Sequence, residues 1–147
     1  MSDNIVEVAI SDLLTTDNMV IDIMMAAQQG PSGPPGPTTI SLLSNTSLIS
    51  NKVVKFTANG CSYANNLIAS DVNRVVGFTT TSSIPGGYNT IQFARELSGF
   101  TNLIPGELVY LGNSGDIQQT IPNSGYVLKM GIATSNTKIL ISIGQPV

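Results

Sequence analysis

Residues 30–38 read Gly-Pro-Ser-Gly-Pro-Pro-Gly-Pro-Thr, three triplets with Gly first and Pro second each time. This is the most specific signal in the chain. In a triple helix of the collagen type only Gly fits at the crowded axis, and Pro presets the extended backbone. The period therefore predicts a collagen-like neck in which three chains run together. Gly30, Gly33 and Gly36 would face the axis, and Pro31, Pro34 and Pro37 would stiffen the backbone. A Pro/Gly-rich linker is the other reading of such a composition. Three triplets are too few to hold a triple helix alone, so the neck would set register rather than supply stability.

The neck divides the chain into an arm (1–29), the neck itself (30–38) and a head (39–147). In the arm, Ile5, Val6, Val8 and Ile10 read as a strand, with Glu7 and Ala9 on the face alternate to Val6, Val8 and Ile10. Residues 18–29 stay open between helix, favoured by Met24 to Gln29, and strand, favoured by Val20, Ile21 and Ile23. Such a segment cannot bury its apolar side chains alone, so it needs a partner surface. Asp3, Glu7, Asp12, Asp17 and Asp22 fall in the first 22 residues, which hold no Lys or Arg. An acidic arm disfavours nucleic acid and anionic membrane as partners. It fits a basic protein surface, with Asp12 and Asp17 among the steering charges and Ile5 to Ile10 adding as a strand.

The head has a different texture. The whole chain of 147 residues is 41% hydrophobic but only 10% charged, against about 25% charged in a typical soluble domain. Asn, Ser, Thr and Gly supply the polarity, which suits short strands, tight turns and buried intersubunit surfaces. Strands are expected over Thr39–Leu43, Lys52–Ala58, Arg74–Thr80, Thr90–Leu97, Glu107–Leu111, Val127–Ala133 and Lys138–Ile143. Turn signals such as Asn59-Gly60, Pro85-Gly86-Gly87 and Pro105-Gly106 separate them. A helical turn fits only Tyr63 to Asn73. The expected fold is all-β, a small antiparallel β-barrel or sandwich head, carried by the collagen-like neck and an extended or partly helical arm, in a trimer. Arg74-Val75-Val76-Gly77-Phe78-Thr79-Thr80 also echoes Lys129-Met130-Gly131-Ile132-Ala133-Thr134: basic, apolar, Gly, apolar, then small and hydroxylated. A duplicated hairpin and a coincidence both fit that echo.

The residues for chemistry are sparse. The chain has no histidine and one cysteine, Cys61. Ser-His-Asp and Cys-His sites, an intrachain disulfide, and histidine or cysteine-cluster metal sites are therefore excluded. Cys61 reads as a small buried hydrophobe. Among the head's acids, Glu96 and Glu107 are the one pair to weigh for sugar hydrolysis, and solvated strand-end charges are the simpler reading. Gly112 to Asp116 lacks the Lys and helix of a phosphate loop and reads as a hairpin turn in which Asp116 satisfies backbone donors. The arm's aspartates lack the spacing of a calcium loop. No cofactor, no metal and no enzymatic activity are expected. Of the tyrosines, Tyr88 is the candidate for an exposed aromatic, while Tyr110 and Tyr126 fit strand packing. The acidic N-terminus lacks the positive region of a secretory signal, and no long apolar run reads as a membrane span.

The stretch Gly99-Phe100-Thr101-Asn102-Leu103-Ile104-Pro105-Gly106-Glu107-Leu108-Val109-Tyr110-Leu111-Gly112 resembles a module of tailed-phage tail fibres and head decoration proteins. The resemblance continues through Gly115-Asp116-Ile117, Pro122-Asn123-Ser124-Gly125-Tyr126, Lys129 to Ala133 and Ile139-Leu140-Ile141. It covers the last third of the chain, and Arg74-Val75-Val76-Gly77 would extend it to half. It implies a structural virion protein, assembled in the host cytoplasm. One form is a homotrimeric capsid decoration or head-fibre protein anchored through its arm to the major capsid protein. The alternative is a short tail fibre or tail-tip adhesin, seated on a tail component and binding a host surface glycan. The first 29 residues carry none of this resemblance and would decide the attachment point.

Overall fold

Val53-Val54-Lys55-Phe56 illustrates how this chain builds a layered head. The computed structural model describes residues 37–147. Within them, Val53 and Val54 are both buried, yet they belong to different core clusters, because successive side chains of a strand point to opposite faces. The arm residues Ile5, Val6, Val8, Ile10, Asp12 and Asp17 lie outside the described residues, as do Gly30, Pro31, Gly33, Pro34 and Gly36 of the neck. Pro37 is exposed coil two residues ahead of the first strand.

The strands are β1 (Thr39–Leu43), β2 (Val53–Phe56), β3 (Cys61–Tyr63), β4 (Val75–Thr79), β5 (Tyr88–Gln92), β6 (Arg95–Ser98), β7 (Leu108–Leu111), β8 (Ile117–Gln118), β9 (Lys129–Ala133) and β10 (Lys138–Ile141). A single helical turn, α1 (Ala69–Val72), falls inside the Tyr63–Asn73 stretch where one was expected. The head is all-β: two antiparallel five-stranded sheets. No described helix is long and apolar enough to cross a membrane.

Two expectations are corrected. Neither sheet closes, so the head is not a barrel. Sheet I runs β1-β5-β4-β2-β3 and sheet II runs β6-β10-β9-β7-β8, with no continuous ladder between the two edges of either; in sheet I a single parallel bridge joins Ser44, just past β1, to Cys61 of β3. The edge strands β3 and β8 have three and two residues, too few to carry pairing onward on their free sides. The expected single strand Thr90–Leu97 is two strands in different sheets. Gln92 pairs with Thr39 and Phe78, whereas Arg95 pairs with Ile141. Between them the chain turns, and Arg95 takes a left-handed φ of 69°, a conformation that re-aims the backbone and breaks strand continuity. β3 and β8 escape a periodicity reading because, at three and two residues, they are shorter than the roughly four residues over which alternation reads as a strand.

The two sheets have the same strand order. Relabelled within its own sheet, each runs first-fifth-fourth-second-third. The likeness extends to single bonds. Asn51 N–H donates to Thr79 O at 2.7 Å, and Gly106 N–H to Ala133 O at 2.8 Å. Thr79 N–H donates to Lys52 O at 2.8 Å, and Ala133 N–H to Glu107 O at 3.0 Å. Phe56 N–H donates to Arg74 O at 2.9 Å, and Leu111 N–H to Leu128 O at 3.0 Å. Asn51 and Gly106 both have left-handed φ, 65° and 84°. Each central strand slips register by one residue just before its glycine, at Val76 in β4 and at Met130 in β9. The head is a structural duplication, residues 39–92 followed by 95–141, and the echo between Arg74–Thr80 and Lys129–Thr134 is one strand of it.

The repeats stack unequally. Val53 and Phe78 of sheet I share one core with Val109, Leu111, Met130, Ala133, Ile139 and Ile141 of sheet II. Phe100, in the loop after β6, sets its ring edge-on to Phe78 at 5.7 Å and 83°, the arrangement aromatic quadrupoles favour. Val54, Cys61, Val76 and Ile91 point the other way, into a smaller cluster with Leu48. By strand equivalence Val109 corresponds to Val54 and Ile139 to Ile91. The face that sheet II turns inward is thus the one that sheet I turns outward.

Candidate functional site

A cleft of about 530 Å³ opens where the repeats meet. Three segments line it: Ser50 to Lys52 ahead of β2, Gly99 to Leu103 after β6, and Asp116 to Gln119 around β8. Local chemistry fixes each of them. Asn51 and Asn102 sit at left-handed φ of 65° and 58°, which Asn tolerates better than most residues. The Asn51 amide donates to Ser98 O at 2.9 Å and ties the first segment to β6. Thr79 is buried at the end of β4, and its hydroxyl donates to Ile49 O at 2.6 Å while accepting the Lys52 N–H at 3.0 Å. The Gln119 amide clamps the loop opposite, accepting Ile104 N–H at 2.8 Å and donating to Ile104 O at 3.0 Å.

Across the cleft the Lys52 ammonium pairs with the Asp116 carboxylate. Both groups are solvent-accessible, so the pair contributes little to stability. It does place one positive and one negative group beside the hydroxyls of Ser50 and Thr101 and the amides of Asn102 and Gln118. Such a wall can donate and accept hydrogen bonds to a neutral polyhydroxyl or peptide ligand. A smaller polar hollow of about 310 Å³ lies between Asn66 and Leu67 and the Thr120–Ser124 loop. Among the described residues no group of three or more His, Cys, Asp or Glu could hold a metal ion.

The residues singled out from sequence fare differently. Glu96 and Glu107 are not brought together. Glu96 lies on edge strand β6 and Glu107 just ahead of β7, with β10 and β9 between. Three interstrand steps of about 4.8 Å put their backbones roughly 14 Å apart, wider than the roughly 5–9.5 Å between paired glycosidase carboxylates. Glu96 instead accepts a hydrogen bond from the Thr134 hydroxyl at 2.6 Å. Asp116 ends the Gly112–Asp116 turn and closes it through its backbone, the carbonyl accepting Gly112 N–H at 2.7 Å and the N–H donating to Asn113 O at 3.1 Å; the side chain goes to Lys52 rather than to backbone donors. Cys61 is buried beside Val54 and Ile91, and burial pushes its thiol pKa up. Tyr88 is exposed, Tyr110 is half-buried in β7, and Tyr126 lies in a loop rather than a strand.

The cleft itself is not legible in the sequence. Lys52 and Asp116 are 64 positions apart, and only the stacking of the repeats joins them. Comparison with protein-family models and with curated proteins finds no match for this chain.

Proposed function

We propose that the chain is a non-catalytic structural protein of a tailed-phage virion, a homotrimeric capsid decoration or head-fibre protein held by its N-terminal arm. One observation carries the reading: the Gly-Pro triplets end at Thr38, directly ahead of β1, an edge strand whose free side is bridged only past its end, at Ser44. Three chains leaving a common neck would each deliver an unpaired strand edge beside the axis, where burial between copies removes the hazard of an open edge. The resemblance of residues 99–141 to fibre and decoration modules supplies the setting, and the acidic arm supplies an anchor for the major capsid protein.

Light scattering on the full chain tests the assembly: three chains are expected, and a monomer or dimer at all concentrations rejects it. Quantifying the protein in virions that carry it tests the location. Hundreds of copies per particle are expected for a decoration protein. A few copies per particle would instead favour a short tail fibre or tail-tip adhesin. The polar cleft beside Lys52 and Asp116 is the observation on that side, because its amides and hydroxyls suit a host surface glycan.

A further inference from the structure

We infer that the outer face of sheet I in one copy of this chain packs against the outer face of sheet II in another, repeating between copies the contact that the two sheets make within one. The contact itself stands on residues 37–147; only its closure as a ring of three rests on the trimeric reading above.

The duplication makes the inference. Inside the chain, one face of sheet I receives one face of sheet II. The two faces left outside are the structural counterparts of these two, exchanged between repeats. Residues equivalent by strand register differ sharply in exposure. On sheet II, Leu111 is 0% exposed and Ile141 6%; their counterparts on the outside of sheet I, Phe56 and Phe93, are 44% and 37% exposed. On sheet I, Val53 is 0% exposed; its counterpart on the outside of sheet II, Leu108, is 40%. Phe78, fully buried, corresponds to Ile132, which pairs with both Leu108 and the exposed Leu140. Leu140, Ile132 and Leu108 therefore form an apolar row across three adjacent strands, with Leu140 and Leu108 exposed and none of the three in either core cluster. The corresponding row across sheet I is Gln92, Phe78 and Val53, and Phe78 and Val53 lie in the shared core.

Each outer face thus keeps the position and apolar character of a face that is already mated once per chain, and the face complementary to it lies on the other side of the same molecule. A surface matched to a different surface of its own copy is heterologous, and such contacts close into rings or run on as filaments. The cap over the outer face of sheet I buries Val54, Cys61, Val76 and Ile91 and leaves Phe56 and Phe93 as the side chains that meet a second copy. Leu48 covers Val54 and Ile91 there, and its counterpart Leu103 packs on the same core that seats sheet I inside the chain.

Thiol accessibility in the full chain tests the contact. Three variants, Phe56→Cys, Leu140→Cys and Ile84→Cys, are labelled with a maleimide, the wild type with its buried Cys61 giving the background. Ile84 is a highly exposed loop residue outside both faces. At assembling concentration the Phe56→Cys and Leu140→Cys variants should label at least about tenfold more slowly than Ile84→Cys, as expected for sites packed like a protein interior. Equal rates at all three overturn the inference, and so does protection of only one face, because a heterologous contact covers both together. Light scattering on the same samples separates the two readings. A trimer with both faces freely labelled keeps the neck and rejects the face contact. Protection in an assembly of another size keeps the face contact and rejects closure at three, whereas a monomer rejects both.

Discussion

Gly77 and Gly131 hold the same place in the two repeats. Each follows the slipped residue of a central strand, and each has a neighbouring carbonyl oxygen, of Gln92 or of Leu140, where a Cβ would stand. The glycine thus permits a close strand approach at the bulge. Backbone cannot swing aside as a side-chain tip can, so Gly77→Ala and Gly131→Ala should each destabilise the head by about 2–3 kcal/mol, the upper range for overpacking. Urea unfolding measures it. A loss below about 0.5 kcal/mol at either position, the size of an ordinary surface change, would remove the steric reading.

Asn51 and Gly106 are the second matched pair, both at positive φ and both donating to the end of a central strand. A Cβ at Gly106 would meet nothing within 4 Å, so only the backbone conformation decides what fits. Gly106→Asn should therefore stay within about 0.5 kcal/mol of wild type, whereas Gly106→Val should cost about 1–2 kcal/mol or more, the left-handed penalty with β-branching added. Equal stability of the two variants in thermal melts would contradict this.

The same pairs explain what the sequence disclosed. Strand positions were legible wherever apolar residues alternated between turn signals, as at Thr39–Leu43, which matches β1 residue for residue. The doubling left one visible trace, the glycine within each central strand. The other matched positions need only a shape or a conformation, so Asn can stand for Gly and Phe for Leu, and identity is lost while register persists. The break at Phe93–Ala94 was hidden because apolar character continues across it, and only the left-handed Arg95 ends the strand. The cleft depended on how the sheets stack, which no local pattern encodes.

Cys61 tests the smaller core. Its thiol is buried in the cluster with Leu48, Val54, Val76 and Ile91, and burial shifts its pKa upward, so less thiolate exists at neutral pH than in a free cysteine. Both effects slow reaction. In the folded protein a disulfide reagent should label Cys61 only as fast as the head opens, and denaturant should restore full reactivity. Labelling at the rate of a free thiol in native buffer would mean that this core is open to solvent.

Lys55 and Asp71 form an ion pair against the shared core, with Asp71 almost wholly buried and also accepting the Asn65 N–H at 3.1 Å. Lys55→Met leaves that carboxylate with one hydrogen bond and no countercharge. The expected loss is about 3–5 kcal/mol, as for a buried pair broken on one side. Adding Asp71→Asn should recover most of it, since the orphaned charge is the source of the cost. A double-mutant cycle with no coupling would show that the pair is solvated.

The stacking of the repeats predicts that neither folds alone. A chain ending at residue 94 retains all five strands of sheet I. It would nonetheless expose Val53 and Phe78, which are completely buried against sheet II. Uncovering two such side chains forfeits about 1.5–3 kcal/mol each. A domain of this small size is already marginal against a typical stability of about 5–15 kcal/mol. The truncated chain should therefore lack a cooperative urea transition and should bind a hydrophobic dye. Residues 95–147, which by themselves expose Val109, Leu111, Met130 and Ile139 in the same way, should behave alike. Mixing the two pieces should restore a cooperative transition, because each supplies the face the other lacks. If residues 1–94 unfold cooperatively on their own, the repeats are independent domains, and the shared core is not what holds the head together.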